Sequence, residues 1–167
     1  MTFDRRTVLM GGTAVAAMAA LGFVFRPVPD TVAAEGTFPF SLSDAEWQKK
    51  LSPAAYQVLR HEATESPGSS PLNYEHGKGT FGCAGCDVPL FDSATKYDSG
   101  TGWPSFYQPI VSAVGESTDT KLGYARTEVH CANCGGHLGH VFDDGPQPTG
   151  LRYCMNGVAL QFHAVAA

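Results

Sequence analysis

"VHCANCGGHLGHVF", residues 129–142, packs a Cys-x-x-Cys pair, a double glycine and three histidines into one short stretch. A second pair stands in "FGCAGCDVPLF", residues 81–91. Cys83 with Cys86, and Cys131 with Cys134, each have the spacing and the small neighbouring residues of a tight turn that lets both thiolates face one ion. Two such knuckles supply the four sulfurs of a closed tetrahedral zinc site, with no coordination position left open for catalysis. The 44 residues between the pairs exceed a short zinc-ribbon spacing, so the site would staple distant parts of one domain. Two disulfides are the alternative in an oxidising compartment, although a Cys-x-x-Cys disulfide closes a small ring and tends to be redox-active. If four thiolates complete the shell, His137 and His140 are free for other work.

Outward from the knuckles the chain is one domain. It has 167 residues, 43% hydrophobic and 16% charged, enough for a real core. Nineteen Gly and eleven Pro, concentrated after residue 66, predict a mainly β body of short strands. The β-type runs are "TFGC", "VPLF", "RTEVHC", "GHVF" and "LRYCMNGVALQF". Ahead of them, Ser43 and Glu46 have capping-box spacing, and Ser52 followed by Pro53 is an N-cap with proline at the first helical position. Two short helices are expected, about 44–51 and 53–62, followed by a loop over 63–73. The formal net charge of −5 and the absence of a basic cluster argue against a nucleic-acid partner.

The N-terminus predicts an export signal. Arg5 and Arg6 precede a weakly apolar run from Val8 to Phe25, and Val32 and Ala34 suit the −3 and −1 positions of cleavage before Glu35. Residues 1–34 are expected to be a twin-arginine signal peptide, 35–42 a linker and 43–167 the functional domain. Asp4 stands where that signal usually has Ser or Thr, and an uncleaved membrane anchor is the competing reading. Export to the periplasm follows, with the membrane involved only through the signal. Removing Arg5, Arg6, Arg26, Asp4 and Asp30 from the totals leaves 8 basic and 14 acidic residues, so the mature chain stays acidic. A monomer is expected.

The fifth cysteine, Cys154 in "LRYCMNG" (151–157), has no partner. Strand alternation across 151–162 puts Arg152, Cys154 and Asn156 on one face. A guanidinium near a thiol favours the thiolate, and an amide can orient a polar substrate. A buried inert thiol, half of an intermolecular disulfide and a catalytic nucleophile are all compatible with the lone residue; Arg152 and Asn156 beside it favour the last.

Taken together, "GCAGCDVPLFDSATKYDSGTGWPSFYQPI" (82–110) and "VHCANCGGHLGHVFDDGPQPTGLRYCMNGVALQF" (129–162) resemble the methionine-R-sulfoxide reductases, the B class of methionine sulfoxide reductase. Both knuckles, GWPSF, HLGHVF, DGPQPTG and RYC-x-N occur together and in order, and the likeness runs from about Asp44 to Phe162. The resemblance implies a β-tent of two antiparallel sheets with zinc opposite the active face. It implies Cys154 as nucleophile on the sulfur of the R epimer of protein methionine sulfoxide, with His137, His140, Arg152 and Asn156 around it and Trp103 bounding a methyl pocket. Either His140 or His137 would protonate the leaving oxygen, a contribution of about 10²–10⁴-fold. A sulfenic acid would be left on Cys154. Many members have a resolving cysteine where this chain has Thr101, so an external thioredoxin-like protein or small thiol is the expected reductant. A thiol peroxidase and a non-catalytic zinc-stapled module are the rival functions.

Overall fold

The computed structural model describes residues 36–166; the expected signal peptide lies outside the described residues. Helix α1 is Asp44–Lys50 and α2 is Pro53–His61, each within a residue of expectation. The Glu46 carboxylate reaches back to accept the Ser43 N–H at 2.8 Å, and Ser52 Oγ accepts the Ala55 N–H at 3.2 Å. Both bonds satisfy donors that a helix start otherwise leaves open. Among the described residues no helix is long and apolar enough to cross a membrane. Ahead of α1, Phe40 and Leu42 pack against the core, and the Phe40 N–H donates to the Asn133 carbonyl of the second knuckle at 2.8 Å.

Among the described residues nine strands follow: β1 Gly79–Cys83, β2 Pro89–Asp92, β3 Lys96–Tyr97, β4 Ser105–Phe106, β5 Val114–Asp119, β6 Arg126–Cys131, β7 His137–Phe142, β8 Arg152–Met155 and β9 Leu160–Ala164. They form two antiparallel sheets, ordered β2-β1-β9 and β3-β4-β8-β7-β6-β5. Aromatic residues join them. Phe106 of the larger sheet stacks on Phe91 at 4.3 Å between centroids and meets Phe81 edge-on at 5.0 Å, all three fully buried. Truncating any one of these rings to Ala costs about 3–5 kcal/mol.

Alternation does not run through 151–162: β8 ends at Met155, and a 3-10 turn, Gly157–Ala159, separates it from β9. The cause is Glu65, whose carboxylate accepts the backbone N–H groups of Gly157 and Val158 and so caps that turn. Asn156 therefore sits past the end of the strand that carries Arg152 and Cys154.

Candidate active site

Antiparallel register aligns one residue from every strand of the larger sheet in a single row: Tyr97, Ser105, Cys154, His140, Glu128 and Ser117. Directly opposed residues share a face, so the row is a polar band across a sheet whose other face is core. Cys154 lies between Ser105 and His140. A Cβ at Gly139, beside His140, would stand 2.1 Å from the Cys154 carbonyl oxygen, so only glycine lets β7 and β8 approach here.

Above the band is a cavity of about 130 Å³ lined by Cys154, His140, Trp103, Asn156, Arg126, Phe142, Thr64 and Gly139. That is well beyond the roughly 10–15 Å³ one water needs. Trp103 is held as its wall by its indole N–H, which donates to the Glu65 carbonyl at 3.2 Å. The preceding residue, Gly102, has φ +93°, a conformation that favours glycine, and a Cβ there would meet Pro67 at 2.9 Å. Its carbonyl accepts from the Gly68 N–H at 2.7 Å and Asn73 Nδ2 at 2.9 Å, which ties the Trp103 loop to the loop after α2.

His140 Nε2 lies 2.8 Å from Asp119 Oδ2, and the same oxygen accepts from the Arg126 guanidinium. An ionised carboxylate only accepts, so Nε2 carries the proton and Nδ1 keeps its lone pair. Burial alone would raise the Asp119 pKa, but the Lys121 N–H, His140 and Arg126 together bring it down to about 2. Burial pushes His140 below the ordinary imidazole value, and Asp119 offsets this only in part. The ring is neutral near pH 7.

Burial also pushes the Cys154 thiol up, and this outweighs the opposing pull of Thr101, Arg152 and Ser105. Arg152 favours the thiolate as the sequence suggested, but desolvation of the thiol outweighs it. Arg152 donates from Nε and an Nη to the two oxygens of Asp144, both at 2.8 Å, with its plane over the Phe142 ring at 4.3 Å.

The remaining expected residues divide. Asn156 lines the cavity, but its amide is already engaged: Oδ1 accepts the Glu65 N–H at 2.9 Å and Nδ2 donates to the Leu138 carbonyl at 3.0 Å. Its reach to the substrate is therefore indirect, through Glu65 and so Trp103. His137 is only 1% exposed and does not line the cavity. Its Nδ1 bonds Glu128 Oε1 at 2.8 Å, and its ring meets that of His140 edge-on at 5.4 Å. Asp119, Arg126, Glu128 and Glu65 escaped the sequence analysis. Alternating polar residues in "RTEVHC" were the one available signal, and they identify a solvent-facing strand as readily as a site.

The four knuckle sulfurs lie within 4.8 Å of one another, with Cys83–Cys134 at 3.7 Å and Cys86–Cys131 at 3.6 Å. A disulfide needs about 2.05 Å. A tetrahedral zinc thiolate with Zn–S of about 2.3 Å has sulfur–sulfur edges of about 3.8 Å. The donor set fits a metal ion, and it belongs to the knot under α1, where Cys83, Cys131 and Cys134 are buried with the Trp47 core.

Comparison with known proteins returns one family. The model of the SelR domain matches residues 51–164. The peptide methionine sulfoxide reductase MsrB of Agrobacterium fabrum is 53% identical over 124 residues, 74% of this chain and 92% of that protein. The protein of the same name from Pseudomonas putida is 58% identical over 118 residues, 70% of this chain and 89% of its own length. The chloroplastic peptide methionine sulfoxide reductase B1 of Arabidopsis thaliana is 49% identical over 141 residues, covering 83% and 70%.

Proposed function

Since this chain belongs to the SelR-domain family of peptide methionine sulfoxide reductases and is an oxidoreductase for methionine sulfoxide, we propose that it repairs the R epimer in proteins with Cys154 as nucleophile. The observation that carries the reading is the register pairing of Cys154 with His140, on the floor of a cavity walled by Trp103.

The protonation states suggest a route. With the thiol protonated and the imidazole neutral, the Cys154 proton passes to His140 Nδ1 as the sulfur attacks the sulfoxide sulfur. The imidazolium then gives that proton to the sulfoxide oxygen, and the sulfur–sulfur bond breaks as the resulting hydroxyl moves from the substrate sulfur to Cys154 Sγ. The thiol is oxidised by two electrons to the sulfenic acid, the sulfoxide is reduced by two to the thioether, and the proton lost by sulfur ends on oxygen. Asp119 holds the ring and stabilises its transient charge, as a buried carboxylate does behind a catalytic histidine. Trp103 offers the substrate methyl an apolar face.

Among the described residues every other cysteine belongs to the four-sulfur cluster. An external thiol, small or on a thioredoxin-like protein, therefore condenses with the sulfenic acid, releasing water, and a second thiol frees Cys154. Zinc held by Cys83, Cys86, Cys131 and Cys134 supplies a cross-link and no catalytic position. Twin-arginine export of a monomer to the periplasm completes the proposal, and would let the folded chain take up its metal before it meets an oxidising compartment.

The test is turnover of the separated sulfoxide epimers of a methionyl peptide by wild type and Cys154→Ser, with dithiothreitol as reductant. The reading requires turnover of the R epimer alone and its loss in the variant. Equal turnover of both epimers, or an active Cys154→Ser, overturns it.

A further inference from the structure

Three hydroxyls run from the nucleophile to a backbone carbonyl. Thr101 Oγ1 lies 3.8 Å from Cys154 Sγ, Ser99 Oγ is 2.8 Å from Thr101 Oγ1 and 2.7 Å from Ser105 Oγ, and Ser105 Oγ donates to the Trp103 carbonyl at 3.1 Å. Each hydroxyl has one proton to give. Because Ser105 spends its proton on Trp103, it accepts from Ser99. Ser99 then accepts from Thr101, and Thr101 has no proton left for sulfur. The thiol donates into the chain, and all four bonds are made.

A thiolate cannot donate, so the whole run must reverse. Ser105 then donates to Ser99, Ser99 to Thr101 and Thr101 to the sulfur, while the Trp103 carbonyl loses its donor. One neutral hydrogen bond is given up on ionisation.

We propose that Ser99, Thr101 and Ser105 form a reversible hydroxyl chain that holds Cys154 as a donating thiol at rest and turns to donate to the sulfur once its proton has left. They are positioning residues for the nucleophile, and the proposal rests on the reading of Cys154 given above. The depth of the chain supports it: Ser105, its inner end, is fully buried, and Ser99 and Thr101 are half-buried. The other titratable groups facing Cys154 are His140 on β7, Arg126 and Asp119 behind it on β6 and β5, Arg152 with Asp144 on its own side, and Tyr97 on β3. No substitution below removes a charge from any of them.

The chain predicts opposite signs for neighbouring hydroxyls. Ser99→Ala releases Thr101 to donate to the thiolate at no cost elsewhere, so the Cys154 pKa falls by roughly half to one unit. Thr101→Val deletes the hydroxyl 3.8 Å from the sulfur and raises the pKa by about one unit or more, and Thr101→Ser restores it.

The experiment is the pH dependence of Cys154 alkylation by iodoacetamide in the metal-loaded protein, followed by mass spectrometry of the Cys154 peptide. It does not depend on sulfoxide turnover, so it can fail while the proposed activity stands, and the reverse. A fall for Ser99→Ala with a rise for Thr101→Val supports the chain. Shifts of one sign in both, or no shift in folded variants, overturn it. A variant that does not fold is replaced by Ser99→Gly, for which the same downward shift is required.

Discussion

The protein handles sulfur in two opposite ways. In the knuckle cluster four cysteines have one another as neighbours, with Cys83–Cys134 and Cys86–Cys131 less than 4 Å apart and three of the four buried. On the larger sheet one cysteine has none, and its neighbours are a hydroxyl, an imidazole and an aromatic wall. The cluster gathers donors to satisfy a cation and close a long loop. On the proposed reading, the sheet site keeps a single thiol neutral and provides for the movement of one proton. Sulfur would then be structural where thiolates converge and reactive where it stands alone beside groups that exchange protons.

Exchanging serine for sulfur separates the two. Cys154→Ser should lower sulfoxide turnover by at least ~10³-fold with the melting temperature held. Cys131→Ser should do the reverse in origin: loss of the metal removes at least about 3 kcal/mol of stability, a drop in Tm of about 10 °C for a domain of this size, and activity falls with the fold. Calorimetry and kinetics on both variants read the difference. A Cys131→Ser protein with unchanged Tm would break the contrast from the structural side.

Next in size is Asp119→Asn. Loss of the carboxylate that holds His140 should cost roughly 10²-fold in kcat. Because Asp119 raises the His140 pKa, the acid limb of the kcat profile should move to lower pH. A purely structural Asp119 would lower Tm and leave that limb in place. In the unsubstituted protein, His140 held below 6.5 and Cys154 held above 9.0 predict a plateau of activity spanning that interval, checked by a pH–rate profile.

Much of this contrast was legible in the sequence. Both Cys-x-x-Cys pairs, the helix caps at Ser43 and Ser52, and the isolation of Cys154 are local patterns, and local patterns survive in one dimension. The partners of His140 are not local: Asp119 and Arg126 come from β5 and β6, and only the strand order brings them to the cavity. Asn156 fell on the right wall for the wrong reason, since the Glu65 cap that ends β8 comes from a loop 91 residues earlier. The two-residue strands β3 and β4 were too short to show periodicity, yet they carry Tyr97 and Ser105 into the polar row.

Smaller effects sharpen the picture at its edges. Trp103→Ala should raise KM about tenfold with kcat nearly held, since it removes an apolar wall and no proton-transfer group. Asp119 also contributes to stability. Its folded pKa of about 2 lies below the unfolded value of about 3.9, so its contribution is full above about pH 4 and lost as pH falls through 2. Denaturant midpoints for wild type and Asp119→Asn should therefore converge across that window.

Whether Cys154 alone carries the oxygen is read from one turnover without reductant. The metal-loaded protein is mixed with an equimolar methionine-sulfoxide peptide, trapped with a sulfenic-acid reagent and digested for mass spectrometry. The expected result is one methionine released per protein, the trap on Cys154 and the four knuckle cysteines unmodified. A disulfide joining Cys154 to any knuckle cysteine, or methionine formed with Cys154 unmodified, would contradict it.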